Sequence, residues 1–549
     1  MNRTLNSVSA LSSLIISAGL LSGCSKDSSP ATPEPPKTGA ATGATTGDST
    51  GQSQDSVQST DTKLTNTTQS PPVPSPSTPL PPAQIVLDGE LDDWFGQTGI
   101  RADSDEVFLS FESFDESQAI QAANFTTRIR IDTDGNQITG VRQMYRSQEP
   151  GIMLSQGVDL SIEISPPAPE SPEESSFPSL RGGAEVTFYP TTNPSDASQI
   201  SHADVGFYFL PTHNAPRYEA RLDRAALPSL QHEGEITVVV EHLAIGGDLL
   251  KTQSFTTTLP RYREIKPIDQ TITSAQDGHV RVMSTNVLYS APLDTPEPFT
   301  RVHDALSPDV ILYQEWFKAT TQQVEQWVHT HLGQEWQLII GDQDSGVAIA
   351  TKLKVLEQIS KPIVAHRNDR PSRVVAAVLE TPSIGTRSDQ PGHLIVVSLH
   401  LKCCGGAGSD EDAKRIAQAQ QIHGLMLELR ERYPDAGMVI GGDYNLVGSR
   451  TPLEMIRAGL GINGQDLTPA PTLVLGTQSM LTWTSPGSSY TPGRLDWLLV
   501  DDHAWSMHQS FSLDTARLTN HALDESGLFV DDSRASDHLP IVVDLEPND

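Results

Sequence analysis

Two patterns of apolar and polar residues divide the chain near residue 260. From about 83 to 260, short segments such as EVFLSFES and EITVVVEHL alternate apolar and polar side chains with period two. Turn residues separate these segments, which is typical of an antiparallel β-sandwich. After a connecting segment at 261–277, apolar runs of strand length alternate with helical segments, the clearest at 410–433. This change predicts an α/β domain at 278–549.

Polar residues stand at the ends of the apolar runs in the α/β half. Four runs end at polar side chains and two more begin after them. The exits carry Asn286, Glu315, His400, and Asp443 with Asn445; the entrances carry Asp496, and Asp537 with His538. If the last two strands run antiparallel to the other four, all these side chains meet at one edge of the sheets.

Such a group of carboxylates and imidazoles needs a compensating charge, and a hard divalent cation is the simplest one. Oxygen ligands from Glu315, Asn286 and Asp537 suit Mg²⁺ or Mn²⁺ better than zinc, because the group has no cysteine and no close pair of ligand histidines. Each residue alone is typical of a turn cap or a surface group. The joint pattern is what predicts a site.

Six motifs in this half, STNV, LYQEW, SLHLK, GGDYN, GRLDWLL and ASDHLPIVV, occur in the order found in the endonuclease/exonuclease/phosphatase superfamily. The resemblance covers about residues 278–547 and implies a two-sheet α/β sandwich like that of deoxyribonuclease I. It implies a phosphoester hydrolase in which Glu315 holds the metal, with Asn286 and Asp537 close by.

The same resemblance assigns roles to the remaining site residues. Asp443 would orient or deprotonate the attacking water, and Asn445 would hold that aspartate and a phosphate oxygen. His538, oriented by Asp496, would contact the phosphate or protonate the leaving group. His400 resembles the deoxyribonuclease, sphingomyelinase and phosphatase branches; no glutamate partner for it is evident, and Asp344 nearby is more typical of a turn. Arg370, Arg373 and Arg415 are candidate phosphate contacts.

The sandwich half opens with IVLDGELDDWFG, followed by RIRIDTDGNQITG and GVDLSIEIS. These segments resemble the carbohydrate-binding-module-9-like sandwiches, which implies a polysaccharide partner. Asp132, Asp134 and Asn136 alternate around a glycine turn as in a calcium loop. A plain hairpin turn is favoured over Ca²⁺, because Asp-Gly is a strong turn signal and no glutamate follows at the required spacing.

Residues 1–24 combine Arg3, a short apolar run and the sequence LSGC. This resembles a bacterial lipoprotein signal, which implies that Cys24 is acylated and anchors the protein in the cell envelope. Ser25 after the cysteine implies the outer membrane. Residues 25–82, rich in Ser, Thr and Pro, predict a disordered tether. A plain secretory peptide is the alternative.

Composition limits the function further. The formal net charge of −32 argues against a broad basic surface for non-specific nucleic-acid binding, but it permits a metal-dependent nuclease. Apart from Cys24, the cysteines are the neighbours Cys403 and Cys404, which leaves a vicinal disulfide and two thiols equally open.

The sequence therefore predicts a lipid-anchored, metal-dependent phosphoesterase. An extracellular nuclease is the first substrate prediction, and a phospholipid or small organophosphate hydrolase is the second. A non-catalytic carbohydrate-binding lipoprotein is the alternative of another class. No protein partner is predicted.

Overall fold

The computed structural model describes residues 85–548 apart from 95–98, 137, 142–156, 169–178, 265, 342–344, 361–372, 382–391 and 486. The predicted signal segment with Cys24, the tether at 25–82, and the residues Asp344 and Arg370 lie outside the described residues. Within the described part, no helix combines the length and the apolar character needed to cross a membrane.

The first half consists of two antiparallel sheets. Its strands are β1 (Ile100–Ala102), β2 (Glu106–Glu112), β3 (Thr126–Asp132), β4 (Leu160–Ile164), β5 (Ala184–Phe188), β6 (Ser198–Ile200), β7 (Tyr208–Leu210), β8 (Arg217–Asp223), β9 (Gly234–Leu243) and β10 (Leu249–Leu259). One sheet has the order β1-β2-β8-β7 and the other β10-β9-β3-β4-β5-β6. Alternate residues of both sheets share one apolar core that includes Phe111, Ile129, Ile162 and Val238. The period-two pattern arises because successive side chains face opposite sides of a strand.

The second half is an α/β domain. Its strands are β11 (Val280–Asn286), β12 (Val310–Gln314), β13 (Gln337–Ile340), β14 (Ala348–Thr351), β15 (Lys354–Ile359), β16 (Arg373–Thr381), β17 (Gly392–His400), β18 (Gly437–Asp443), β19 (Thr468–Pro469), β20 (Asp496–Val500), β21 (Trp505–Ser512) and β22 (Ile541–Pro547). Its helices are α1 (Pro296–Leu306), α2 (Thr321–His331), α3 (Asp410–Arg432), α4 (Thr451–Arg457) and α5 (Asn520–Ser526).

Two six-stranded sheets pack face to face in this domain. Their orders are β13-β14-β12-β11-β22-β21 and β15-β16-β17-β18-β20-β19. A single cluster of buried apolar side chains, including Val282, Leu312, Val396 and Val439, joins the inner faces. The outer faces are covered by α1, α2 and α5 on one side and by α3 and α4 on the other. The predicted two-sheet α/β sandwich, preceded by a β-rich region, is thus confirmed.

The ends of α3 explain why the sequence at 410–433 predicts a helix. Ser409 caps its start by accepting a hydrogen bond from the N–H of Asp412, and acidic residues occupy the first turn. Arg430 and Arg432 stand in the last turn, where cations interact favourably with the helix dipole. The helix places the β17–α3 loop, with Leu401 to Ser409, beside the end of β17.

The two halves are in direct contact. Thr212 Oγ1 donates a hydrogen bond to the carbonyl of Leu446 over 2.7 Å, and the N–H of Asn214 donates to the carbonyl of Gly448 over 2.8 Å. The segment predicted as a connection also lies against the α/β domain, since the N–H of Ile268 donates to the carbonyl of Arg517.

Candidate active site

The polar residues at the strand ends meet at one edge of the two C-terminal sheets. β11 runs parallel to β12, and β17 parallel to β18, so the carboxyl ends within each pair point the same way. β22 is antiparallel to β11, and β20 to β18, which brings the entrances of these strands to the same edge. The side chains there are Asn286, Glu315, His400, Asp443, Asn445, Asp496, Asp537 and His538.

Glu315, His400 and Asp443 form the centre of this edge. His400 Nε2 lies 3.4 Å from Asp443 Oδ2 and 4.0 Å from Glu315 Oε1. Asn286 Nδ2 donates hydrogen bonds to Glu315 Oε1 over 3.2 Å and to Asp443 Oδ2 over 3.3 Å, while its Oδ1 accepts from the N–H of Leu288. In this orientation Asn286 bridges two carboxylates from opposite sheets with its nitrogen, and its oxygen faces the backbone.

The backbone at two strand ends is turned to present the carboxylates. Glu315 has a φ of 71°, an uncommon value for a residue other than glycine, and its Oε2 accepts a hydrogen bond from the N–H of Tyr289 over 3.0 Å. Gly442, just before Asp443, has a φ of 145°, and a Cβ there would lie 2.0 Å from the carbonyl oxygen of Leu399. Non-glycine conformations of the kind seen at Glu315 cluster at functional sites.

Asn445 holds Asp443 in place. Its N–H donates to Asp443 Oδ1 over 2.9 Å and its Nδ2 donates to Oδ2 over 3.0 Å. The same Nδ2 is 3.2 Å from the carbonyl of Leu401, which ties the pair to the end of β17. The two glycines and the Asp-x-Asn spacing therefore form one unit that aims a carboxylate at the site.

His538 and Asp496 form a hydrogen-bonded pair. His538 Nδ1 is 2.7 Å from Asp496 Oδ2, and both side chains are buried. The opposite nitrogen, Nε2, lies 3.8 Å from Asp443 Oδ2 and 4.0 Å from Asp537 Oδ1. Asp496 thus fixes the ring so that Nε2 faces the other site residues.

The pKa values at the site follow from burial and from charge. Burial raises the pKa of Glu315 above its usual range. It also raises the pKa of Asp443 well above its usual range, where Asp496 and Glu315 add to the effect. Burial opposes a positive charge on His538, but Asp496 and Asp443 outweigh it and hold the pKa of His538 well above the ordinary value. Burial, with Arg373 and His538, holds the pKa of His400 well below its usual range, so that ring is neutral.

The donor set fits a hard divalent cation. One ligand atom from each of Glu315, His400 and Asp443 lies within 4.8 Å of the other two, and two of the three ligands are carboxylates. Their raised pKa values mean that the ionised pair is poorly compensated by the surrounding side chains. The two carboxylates are the kind of ligand that Mg²⁺ or Mn²⁺ prefers, whereas imidazole is more typical of zinc and other transition metals.

Asp537 is placed beside His538 and is held by Trp483. Its Oδ2 accepts a hydrogen bond from Trp483 Nε1 over 3.1 Å, and its carbonyl accepts from the N–H of Thr484. Among the groups of potential ligands in the described part of the chain, Asp537 does not occur together with Glu315.

An aromatic and basic rim borders the site. Arg373 lies with its guanidinium carbon 4.2 Å from the centre of the Phe317 ring and with Nη1 3.5 Å from His400 Nδ1. Lys318 Nζ is 5.2 Å from the centre of the Tyr289 ring, and Tyr289 is half exposed. This rim provides two cations and an exposed aromatic surface next to the carboxylates.

Arg415, the other candidate phosphate contact in the described chain, is fully buried away from solvent. Its Nη1 donates to the carbonyls of Lys402 and Cys404, and its Nη2 lies 3.2 Å from Asp412. Arg415 therefore shapes the loop after β17. In that loop the sulfur atoms of Cys403 and Cys404 are 3.0 Å apart and are not joined by a disulfide.

Some residues of the site went unnoticed in the sequence. Gln314 is buried between the sheets, where its Nε2 donates to Ser398 Oγ over 3.1 Å. Thr482 Oγ1 accepts from the N–H of Asp496, and Trp483 holds Asp537. Gln314 adjoins Glu315 in the LYQEW motif, so position could have identified it, but Thr482 and Trp483 carry no local signal.

A family model matches the part of the chain that carries the site. The model of the Endonuclease/Exonuclease/phosphatase family matches residues 283–538, which include the site residues named above, and this match indicates a phosphoester hydrolase. No curated protein sequence matches the chain.

Solved structures are similar to about half of the chain. A humanized D. rerio TDP2 is 16% identical over 49% of this chain and 100% of that one, with a TM-score of 0.33. The human Nocturnin catalytic domain is 19% identical over 50% and 96%, with a TM-score of 0.34. Beta toxin from Staphylococcus aureus is 18% identical over 48% and 99%, with a TM-score of 0.32.

Proposed function

We propose that the C-terminal domain is a divalent-metal-dependent phosphodiesterase that acts on nucleic acid outside the cell. The observation that carries the proposal is the convergence of Glu315, His400 and Asp443 with the His538–Asp496 pair at one sheet edge. A phosphodiester resists attack because its oxygens repel a nucleophile, so a site must offset charge, activate water and stabilise the leaving oxygen.

Glu315 and Asp443 would supply the carboxylate oxygens that hold Mg²⁺ or Mn²⁺ beside His400, with Asn286 positioning both carboxylates. Bound there, the cation supplies charge to offset the phosphate oxygens in the transition state. Glu315 would be the principal ligand, because its backbone conformation and its hydrogen bond from Tyr289 direct it into the site.

His538 and Asp443 carry the proton chemistry. With its raised pKa, His538 is protonated at neutral pH and can donate from Nε2 to a phosphate oxygen or to the leaving oxygen. Asp443 lies beside Nε2 of His538 and would orient the attacking water by accepting a hydrogen bond from it. Asn445 keeps the accepting oxygen in position.

We prefer nucleic acid as the substrate because two cations, Arg373 and Lys318, border the site. They stand there although the protein as a whole is strongly negative. These cations can contact phosphates locally without a broad basic surface. The exposed Tyr289 beside Lys318 favours phospholipid as a second candidate, since an aromatic side chain with a neighbouring cation suits a lipid headgroup.

Activity assays on the chain lacking residues 1–24 test the proposal. With Mg²⁺ or Mn²⁺ we expect hydrolysis of bis-p-nitrophenyl phosphate and of DNA, and loss of both with a chelator. Glu315→Gln and His538→Ala should lower kcat about 100-fold or more, because each removes a group that acts only on the reacting centre.

Matched controls separate loss of function from loss of fold. Glu325→Gln on the exposed face of α2 and His503→Ala on the surface should stay within about twofold of the parent. Parent-like rates for Glu315→Gln and His538→Ala on all substrates would contradict the proposal and favour a non-catalytic binding protein. Hydrolysis of sphingomyelin but not of DNA would transfer the assignment to phospholipid.

Export and anchoring through Cys24 are part of the proposal and rest on the sequence. Cells that express the full chain should incorporate labelled fatty acid into it, and Cys24→Ala should abolish the label. Unlabelled parent protein would contradict lipid anchoring in the outer membrane.

A polysaccharide partner for the β-sandwich is proposed on the same basis, and pull-down with insoluble glycans tests it.

A further inference from the structure

Three carboxylates converge at one end of the β-sandwich, far along the chain from the active-site residues. Asp132 ends β3, Asp134 lies in the turn that follows, and Asp159 stands directly before β4. β3 and β4 are antiparallel neighbours with Ile131 opposite Leu160, so Asp132 and Asp159 emerge side by side. One carboxylate oxygen from each aspartate lies within 4.8 Å of the other two.

Asp134 and Asp159 accept hydrogen bonds from neighbouring residues. Asp159 Oδ2 accepts from the N–H of Thr133 over 2.9 Å and from its hydroxyl over 2.7 Å. Asp134 Oδ1 accepts from the N–H of Asn136 over 2.8 Å, and Thr139 Oγ1 donates to Asp134 as well. The turn is therefore built to hold both carboxylates in fixed positions.

Asp132 accepts backbone hydrogen bonds from Asp134 and Gly135, but one of its two oxygens has no donor. The residue is only 3% exposed, and its buried Oδ1 accepts no hydrogen bond from any described residue. A buried carboxylate oxygen without a donor is costly, and native proteins satisfy such atoms with a hydrogen bond or an ion. The carboxylate belongs to the set that faces Asp134 and Asp159.

The charges around Asp132 aggravate this cost. Burial, followed by Asp159 and Asp134, raises the pKa of Asp132 to about 6. Burial likewise raises the pKa of Asp159. The nearest basic side chains on β3 are engaged elsewhere, since Arg128 pairs with Glu163 and Arg130 with Glu241. A cation bound among the three carboxylates would remove both penalties.

We propose that Asp132, Asp134 and Asp159 bind a Ca²⁺ ion that locks the β3–β4 end of the sandwich. Ca²⁺ takes oxygen ligands about 2.3–2.6 Å away, so ligand oxygens up to about 5 Å apart can share one ion. The spacing of the three oxygens meets that limit. The donor set is oxygen only, which excludes a preference for zinc or copper.

This ligand set differs from the one that the sequence suggested. Asn136 follows Asp134 in an exposed turn, and its N–H serves the carboxylate of Asp134. Asp159, 25 positions further along the chain than Asp134, supplies the third carboxylate because strand pairing brings it back. The hairpin turn and the ion site are thus compatible.

Direct Ca²⁺ binding measurements on the chain lacking residues 1–24 test the site. We use the Glu315→Gln background to weaken cation binding at the active site. Flow dialysis with ⁴⁵Ca²⁺ in excess Mg²⁺ should show one bound ion, and Asp159→Asn should reduce it to none. Asp248→Asn, an exposed aspartate in the β9–β10 hairpin, should leave binding unchanged.

Thermal unfolding gives a second measurement. A cluster of aspartates that does not bind Ca²⁺ would not show the changes in Tm expected here. About 10 mM Ca²⁺ should raise the Tm by roughly 2–4 °C, and equal Mg²⁺ should raise it less. Without Ca²⁺, Asp132→Asn should unfold at or above the parent Tm, because it relieves repulsion; with Ca²⁺ it should unfold below the parent.

Three results would overturn the assignment. These are no Ca²⁺ bound by the Glu315→Gln protein, an equal effect of Mg²⁺, and loss of binding in Asp248→Asn to the same degree as in Asp159→Asn. Because the assay measures ion binding by the sandwich, its result is independent of whether the C-terminal domain hydrolyses phosphoesters.

Discussion

At the scale of single residues, the site depends on side chains that hydrogen bonds from neighbouring side chains keep in position. Asn445 binds both oxygens of Asp443, Asn286 bridges Asp443 and Glu315, and Asp496 orients His538. Glu315 and Asn445 both have positive φ values, 71° and 48°. Such conformations persist only where surrounding contacts enforce them, which is the arrangement expected where precise positioning is needed.

The His538–Asp496 pair leads to a prediction about pH. Because the carboxylate of Asp496 raises the pKa of His538, Asp496→Asn should lower that pKa. A reaction that needs protonated His538 slows as pH rises through this pKa, so the alkaline limb of the pH–rate profile should move to lower pH. We also expect about a 10- to 1,000-fold lower kcat at neutral pH.

The control for this experiment is a second aspartate–histidine pair on the surface. Asp502 Oδ1 is 3.0 Å from His503 Nδ1, and both side chains are substantially exposed. Asp502→Asn should leave the profile unchanged. An alkaline limb that does not move in Asp496→Asn would show that His538 does not act as the protonated group.

At the scale of elements, β11 and β22 are joined by a buried ion pair at the end opposite the site. Arg281 stands directly across from Asp544, and its Nε and Nη2 donate to the two carboxylate oxygens over 2.6 and 2.7 Å. Arg281 Nη1 also donates to the carbonyls of Thr273 and Leu306. Arg281 thus links β11 and β22 to the end of α1 and to the segment that precedes the domain.

Removing one partner of this pair should be strongly destabilising. Asp544→Ala leaves the fully buried Arg281 without its counter-ion, which we expect to cost about 3–5 kcal/mol in the free energy of unfolding. Urea denaturation measures the loss. Glu546→Ala, two positions along the same strand in an exposed pair with His508, should cost at most about 1 kcal/mol. Equal losses would contradict the role of Arg281.

At the scale of the whole molecule, the sandwich and the catalytic domain share a hydrogen-bonded contact next to the site. The N–H of Thr491 donates to Gln121 Oε1, and the N–H of Ala184 donates to the carbonyl of Ser489. The segment that contains Thr491 and Ser489 also carries Trp483, which holds Asp537. We infer that the sandwich positions one wall of the site.

A glycine at this contact allows a test. Gly183 has a φ of 92°, and a Cβ there would lie 2.5 Å from the carbonyl oxygen of Ser489. Gly183→Ala should therefore lower the Tm by several degrees and lower kcat/KM severalfold, because the segment near Asp537 must shift.

Gly247 is the matched control, with a φ of 85° and, among the described residues beyond its chain neighbours, no atom within 4 Å of where a Cβ would stand. Gly247→Ala carries the same backbone penalty of about 1 kcal/mol without the clash, so activity should stay at the parent value. If the two variants behave alike, the contact does not support the site.

Much of the fold was readable from local pattern, and the exceptions have a physical reason. The helix predicted at 410–433 is Asp410–Arg432, and each apolar run that ends at a site residue is a strand. β10 was missed because it is an edge strand with polar residues on both faces, as in KTQSFTTT. The third carboxylate of the sandwich cluster was missed because Asp159 joins it only through the pairing of β3 with β4.

The sequence by itself determined where the apolar strands that carry the site begin and end, and so which polar side chains stand at those ends, because the two-residue and 3.6-residue periods are local properties. Only the tertiary structure decided which strands pair, in which direction and in which register. Those choices bring Glu315 from one sheet next to Asp443 from the other, and they place Ser489 against Gly183. Contacts between distant segments depend on packing of the whole core, which no local window contains.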